Sequence, residues 1–178
     1  MMSLDNTIAP YKIVGAERAW SIEGSWKNRR RASLAIWLSK HGFPDANSFG
    51  VNGITPLMEA ALQGEDHIVA TLLYEGVSVG MLDDEDNSAL WYACLNGAPA
   101  TILRLIDAGL DIDHANGDDF TCLMQAAASG RFDIMRLLMS LGANEGLVAP
   151  EGRNALEMAT DYVIWSCIDH RTEAHPVG

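Results

Sequence analysis

Five histidines, three cysteines and twenty-four carboxylates are the side chains of this chain that could do chemistry, and their spacing decides which chemistry is open to them. His41, His67, His114, His170 and His175 are scattered, and no two stand four apart on one helix face, as a zinc-binding pair with an adjacent glutamate base would need. His67 sits beside Glu65 and Asp66 in an ordinary surface position. Cys94, Cys122 and Cys167 lie far apart and make an odd set, which points away from a disulfide framework and toward a reducing, cytosolic compartment. The runs Asp83-Asp84-Glu85-Asp86 and Asp113-His114-Ala115-Asn116-Gly117-Asp118-Asp119 suggest Ca²⁺ by composition alone. Both lack the alternating ligands, turn glycine and closing bidentate glutamate of a calcium loop. There is no phosphate-binding glycine loop and no nucleophile elbow. The chain therefore reads as one without catalysis, cofactor or metal; only a cysteine brought against a histidine in space would revive an enzyme.

Charge narrows the partners. The net charge is −12, but residues 1–50 carry seven basic side chains against four acidic ones, or +3, which leaves −15 for residues 51–178. Between Val51 and Leu103 there are eight acids and no Lys or Arg. A field of this sign repels nucleic acid and anionic lipid and attracts basic partners over a Debye length of about 8 Å. The first ten residues lack the basic start and apolar run of a secretory signal, and no stretch approaches the roughly 18 apolar residues of a membrane helix.

The elements that must position these side chains recur. Thr55-Pro56-Leu57-Met58-Glu59-Ala60-Ala61, Ser88-Ala89-Leu90-Trp91-Tyr92-Ala93-Cys94, Thr121-Cys122-Leu123-Met124-Gln125-Ala126-Ala127 and Asn154-Ala155-Leu156-Glu157-Met158-Ala159-Thr160 start at 55, 88, 121 and 154. Each step is 33 residues. Gly64, Gly97 and Gly130 follow the first helix, and Gly76, Gly109 and Gly142 follow the second. Between them lie Ile68-Val69 with Leu72-Leu73, Ile102-Leu103 with Leu105-Ile106, and Ile134-Met135 with Leu137-Leu138. Thr55, Ser88, Thr121 and Asn154 are good N-caps, and Pro56 fits the first helical position, where no N–H is needed. The second helices are amphipathic, so one helix pair cannot bury its own apolar face and the repeats must stack.

This pattern resembles the ankyrin repeat from about Gly42 to Asp161. The resemblance implies an all-α helical solenoid with short β-hairpin fingers, built to bind macromolecules. Two departures stand out. The family histidine is replaced by Met58, Trp91, Met124 and Glu157. The hairpin glycine survives as Gly53 and Gly152 but becomes Asp86 and Asp119, so those two fingers are expected to turn differently. The expected organisation is a single domain: an N-terminal extension and capping half-repeat (1–49), repeats at 50–82, 83–115 and 116–148, a C-terminal cap (149–171) and a tail (172–178). Leu34 to His41 matches a second helix, Ser21 to Asn28 a degenerate first helix, and Tyr11 to Trp20 an extension. Arg29-Arg30-Arg31 would then open a helix, an unfavourable place for cations, and reads as a solvated cap face rather than a site for an acidic partner. At the other end the last helix should run on past Val163, with Tyr162, Trp165 and Ile168 closing the stack. Two such caps suggest a whole protein. Cys94 takes a small-residue slot, Cys122 the proline slot and Cys167 the capping helix, all structural positions.

The resemblance also implies where partners would bind: the finger residues 47–52, 80–87, 113–120 and 147–153, and the concave first-helix positions Glu59, Gln63, Tyr92, Asn96, Gln125, Ser129 and Met158. Acids dominate the two middle fingers: Asp83, Asp84, Glu85 and Asp86, then Asp111, Asp113, Asp118 and Asp119. Trp91, Tyr92 and Phe120 stand among them, aromatic groups of the kind that anchor interfaces. Trp91 reads as filler for the space left by the family histidine, and Tyr92, at the exposed position, as a binding residue. The expectation is a non-enzymatic module presenting an acidic concave surface to a basic protein, as an inhibitor or immunity protein would. The alternatives are an assembly protein that self-associates through its basic N-terminal cap and, less favoured, a metal-binding or enzymatic protein.

Overall fold

Each repeated segment starts a helix at its expected cap in the computed structural model, which describes the backbone of residues 14–172 and the side chains of residues 27–164. The helices are α1 (Val14–Lys40), α2 (Pro56–Leu62), α3 (Asp66–Tyr74), α4 (Ala89–Asn96), α5 (Pro99–Asp107), α6 (Cys122–Ala128), α7 (Phe132–Ser140) and α8 (Ala155–Thr172). The side chains of Thr55, Ser88, Thr121 and Asn154 accept the amides of Met58, Trp91, Met124 and Glu157 at 3.0–3.4 Å, which satisfies one otherwise orphaned donor per helix. Pro56 is the first residue of its helix. In two repeats the residue replacing the family histidine completes the cap. Met58 Sδ accepts the Thr55 N–H at 3.3 Å, and Glu157 Oε2 accepts the Asn154 N–H at 2.9 Å.

The first helices α2, α4, α6 and α8 stack in order, while α1, α3 and α5 form a second layer behind them and α7 packs on α6. The core between the layers is continuous from Leu34 to Met158, built from Leu57, Leu90 and Leu123 and from the alanines of each first helix. Burying a side chain of leucine or isoleucine size contributes about 1.5–3 kcal/mol, so stacking and not local helix propensity holds the short helices. The second helices keep the expected register, with one exception. Leu103 is exposed, and Thr101 fills the slot equivalent to Ile68 and Ile134. Its hydroxyl donates to Asp66 Oδ1 at 3.4 Å, so the buried position stays satisfied.

The first end differs from the sequence expectation. Residues 14–40 form one helix, with no break between a degenerate first helix and a second one. Gly24 costs only about 1 kcal/mol inside a helix, and no proline interrupts the run. Arg29-Arg30-Arg31 therefore lie in mid-helix, away from the dipole's positive end. Leu34 and Trp37 face the core, and Arg31 Nε donates to both oxygens of Glu75, the cap residue just after α3, at 2.9 and 3.1 Å. At the far end α8 runs on through Val163 to Thr172, and the Tyr162 ring meets Phe132 edge-on at 5.8 Å. The expected stack-closing role of Trp165 and Ile168, the structural slot of Cys167, the extension before Val14 and the tail beyond Thr172 lie outside the described residues.

Candidate protein-binding site

The fingers are built from one hydrogen-bonding scheme with variable side chains hung on it. In all four, the first residue donates to the carbonyl four residues on: Gly50 to Ile54, Asp83 to Asn87, Asn116 to Phe120 and Ala149 to Arg153. The two middle fingers carry a side-chain brace at that first position. Asp83 Oδ1 accepts the amides of Glu85 and Asn87 at 2.9 and 2.8 Å, and Asn116 Oδ1 accepts those of Asp118 and Phe120 at 3.2 and 3.0 Å. Isolated antiparallel bridges, Ala115 with Thr121 and Val148 with Asn154, are the β-structure present among the described residues.

The fingers turn alike, contrary to the expectation for the middle two. Asp86 and Asp119 take φ values of 60°, in the same left-handed region as Gly53 at 74° and Gly152 at 83°. The equivalent backbone turn is imposed by the shared ladder, so the side chain yields to it. Consecutive fingers also bond laterally. The Asp84 amide donates to Asn52 O at 3.1 Å, and the Gly117 amide donates to Glu85 O at 2.8 Å. His114 Nε2 lies 2.7 Å from Asp86 O, and Asn116 Nδ2 donates to Asn87 Oδ1 at 3.0 Å.

This framework sorts the expected site residues into two groups. Asp84, Glu85, Asp86, Asp118 and Asp119 are exposed on two adjacent fingers, and none of them is ion-paired among the described residues, although Glu85 Oε2 also accepts from Asn87 Nδ2 at 3.3 Å. Asp83 does not belong with them: it is 8% exposed, and its second oxygen accepts from Asn87 Nδ2 at 3.1 Å and from the Tyr92 hydroxyl at 2.5 Å. Burial alone would raise this carboxyl, but the Tyr92 hydroxyl and the Asn87 and Glu85 donors outweigh it and hold it below the ordinary range. Tyr92 is correspondingly half-buried, its phenol pushed far up by burial and by the Asp83 carboxylate beside it. Its hydroxyl is engaged internally. Asp113 is also partly turned inward, accepting the Asn144 amide of the next repeat at 2.8 Å.

The first-helix positions are likewise partly committed. Gln63 donates to Glu59, and Gln125 Nε2 donates to Ser129 Oγ at 3.1 Å. Asn96 Nδ2 donates to Leu62 O at 2.9 Å, passing through the space left open by Gly64. Met158 is buried. Trp91 is half-buried against the core, as is Phe120. Phe120, Met158 and Tyr162 line a depression of about 330 Å³ rimmed by Glu151, Arg153 and Asp161. Arg153 bonds Asp161 there. The finger segments 47–52 and 147–153, expected to meet partners, carry apolar tips on either side of the acids that the sequence reading did not single out: Val51 is 82% exposed, Phe49 60% and Val148 56%. Their signal was present, since each falls in a finger segment outside the helical period.

Neither cysteine described offers a nucleophile. Cys94 and Cys122 are buried side by side, and the Cys94 thiol together with burial pushes the Cys122 thiol well up. Among the described residues no three His, Cys, Asp or Glu side chains converge as ligands for one ion, and no helix is long and apolar enough to cross a membrane.

Comparison with known proteins gives the same architecture. A family model for ankyrin repeats (three copies) matches residues 27–116 and 90–168. The chain is 33% identical over 88 residues to the ankyrin repeat domain-containing protein SAT10 of Stachybotrys chartarum, covering 49% of this chain and 5% of that protein. It is 33% identical over 106 residues to Dauer abnormal formation protein 25 of Caenorhabditis elegans, covering 59% and 27%. With ankyrin repeat and SOCS box protein 14 of Mus musculus the identity is 30% over 102 residues, covering 52% and 17%. The chain thus spans only a minor part of these relatives. Capped 33-residue helix pairs, left-handed finger turns and the family match together lead to one conclusion: the chain belongs to the ankyrin repeat family.

Proposed function

We propose that this chain is a non-enzymatic binding module whose second and third fingers receive a basic protein partner. The observation that carries the reading is the placement of Asp86 and Asp119. Both sit in the left-handed conformation that glycine occupies in the flanking fingers, one that Asp tolerates better than most residues with a Cβ. The turn holds both carboxylates exposed, where they are placed for recognition and not for packing. With Asp84, Glu85 and Asp118 these acids make a patch of five exposed carboxylates, bordered by the exposed apolar tips Val51, Phe49 and Val148. Such a border suits a partner with lysines or arginines at its centre and apolar groups at its edges. Asp83 and Tyr92 act behind the patch, holding the second finger in place. Occlusion of the partner's basic surface would make the module an inhibitor, and the buried free thiols Cys94 and Cys122 suit a reducing compartment such as the cytosol.

The test uses Asp84→Lys/Glu85→Lys, two exposed changes that leave the Asp83 brace intact. Affinity capture from the source lysate should yield a basic protein with the parent chain and lose it with the variant. Binding by the parent should weaken steeply between about 50 and about 300 mM salt. A partner retained equally by parent and variant at both salt concentrations would show that the acidic fingers are not the docking surface.

A further inference from the structure

Beside the acidic fingers lies a depression of about 330 Å³ that the charge of the fingers does not account for. Phe120 ends the third finger, Ala128 ends α6, and Met158 and Tyr162 belong to α8, so apolar groups from successive repeats line one space. Its walls are held from behind. The Phe120 amide donates to Asn116 Oδ1 at 3.0 Å, and the Phe120 carbonyl accepts the Asn116 N–H. The Tyr162 ring meets Phe132 edge-on at 5.8 Å and takes the space left open at Gly130, where a Cβ would overlap it. A cleft whose walls are already fixed loses little to ordering when it is filled. The rim is polar but neutralised within itself: Arg153 bonds Asp161 and lies 3.4 Å from a Glu151 oxygen.

We propose that this depression receives one neutral aromatic side chain of the protein partner, next in sequence to the lysines or arginines that meet the fingers. The proposal rests on the acidic-finger reading for the partner's charge and adds the residue that anchors it. The rim decides against a charged occupant. A cation would have to displace Arg153 from its two acids, and a carboxylate would lie against those same acids. The lining favours a ring over an aliphatic chain, because an aromatic group pairs with Phe120, with Tyr162 and with the Met158 thioether. The volume stands at the low end of the roughly 300–1,000 Å³ of small-molecule pockets, room for one side chain and not for a stretch of backbone. Phe120 directly follows the exposed Asp118 and Asp119. At about 3.3–3.6 Å per residue, an extended partner segment reaches these acids within about three positions of its anchor. An aromatic seated in a pocket beside a charged rim is the arrangement by which a few residues carry most of an interface's energy.

The test is titration of the full chain with the peptide Gly-Lys-Lys-Trp-Gly, read by backbone amide shifts, beside counterparts with leucine, alanine or glutamate in place of tryptophan. The tryptophan peptide should saturate below about 1 mM and move the amides of Phe120, Ala128 and Met158 together with those of Asp118 and Asp119. The alanine and glutamate peptides should bind about tenfold more weakly, and the leucine peptide should also fall below tryptophan. Ala128→Trp, at an exposed helix end, should fill the depression and reduce the tryptophan peptide to the affinity of the alanine peptide, with an unchanged far-UV spectrum and melting temperature. Phe120→Ala should do the same by removing a wall. Asp118→Asn/Asp119→Asn, which keeps residues that tolerate the left-handed turn, should weaken the tryptophan and alanine peptides alike. Four results would each overturn the anchor site and leave the finger reading standing: no saturable shift at Phe120, Ala128 and Met158, alanine or leucine binding as tightly as tryptophan, a preference for glutamate, or tryptophan binding untouched by both Ala128→Trp and Phe120→Ala. Shifts at the depression that Asp118→Asn/Asp119→Asn leaves unchanged would instead remove the finger reading and keep the anchor.

Discussion

In the run Asp83-Asp84-Glu85-Asp86 one carboxylate is buried and three are exposed, and the buried one accepts four hydrogen bonds. Hydrogen bonds to a charged group contribute about 1.5–3 kcal/mol, so Asp83→Asn and Tyr92→Phe should each cost about 1–2 kcal/mol in urea denaturation at pH 7. Asn116 shows that an amide can brace the turn, so the loss in Asp83→Asn should fall on the Tyr92 side. The double variant should then cost clearly less than the sum of the singles; strict additivity would mean that the 2.5 Å contact is energetically silent. The pH dependence has two arms. The Asp83 carboxyl lies below its unfolded value of about 3.9, so its contribution is present above about pH 4 and is lost as pH falls through the folded value. The Tyr92 phenol lies above its unfolded value of about 10, so stability should decline as pH rises beyond about 10. Stability–pH profiles of Asp83→Asn and Tyr92→Phe should lose part of the acid and alkaline arms respectively. At the finger tips the effect is small: Asp86→Gly and Asp119→Gly should each change stability by no more than about 0.5 kcal/mol, because Asp tolerates the left-handed turn and the relief of strain nearly balances the entropy cost of glycine.

Between elements, the finger-side connections repeat with one rung missing. Asn47 Oδ1 accepts the Ser78 amide, and Asp113 Oδ1 accepts the Asn144 amide, both at 2.8 Å and both 31 residues ahead. The equivalent position in the intervening repeat is Gly80, which has no side chain to reach Asp111. A Cβ there would meet nothing within 4 Å, and the backbone is not left-handed. Gly80→Asn should therefore add the rung and raise stability by about 1 kcal/mol, part from the bond and part from reduced unfolded-state entropy. A change below the error of a denaturation curve would mean that these lateral bonds only exchange for water. The continuous α1 belongs at this scale too. Its mid-helix arginines escape the dipole penalty and instead reach across to the C-terminal end of α3, where Glu75 and Tyr74 receive them.

Over the whole molecule, −12 of net charge works against a compact state, and the five exposed carboxylates on adjacent fingers concentrate that repulsion. Raising salt from about 10 to about 300 mM should screen it and raise the urea midpoint. The paired surface cations oppose this only weakly, since exposed ion pairs contribute about 0–1 kcal/mol each. A midpoint that fell with salt would mean that the Arg31–Glu75 and Arg104–Asp66 bridges outweigh the finger repulsion. The same distribution gives the stack two faces of opposite character: acids at the finger tips of the first-helix side, and arginines on the second layer between α1, α3 and α5. A rigid nearest-neighbour stack keeps such faces apart, so each can be altered without disturbing the other.

The 33-residue period, the four caps and the small-residue slots were legible in the sequence, because each is a local demand of helix ends and close helix packing. They are met within one repeat whatever lies beyond it. What faced inward was not legible. Asp83 and Asp84 are the same residue type one position apart, and only the turn that brings Tyr92 over one of them separates a brace from a surface charge. The left-handed turns at Asp86 and Asp119 were not legible either, since glycine is absent there and a ladder shared with neighbouring fingers fixes the turn. The depression beside the third finger was hidden for a related reason. Phe120, Ala128, Arg153 and Tyr162 come from two fingers and two helices, and stacking of the repeats is what brings them to one place.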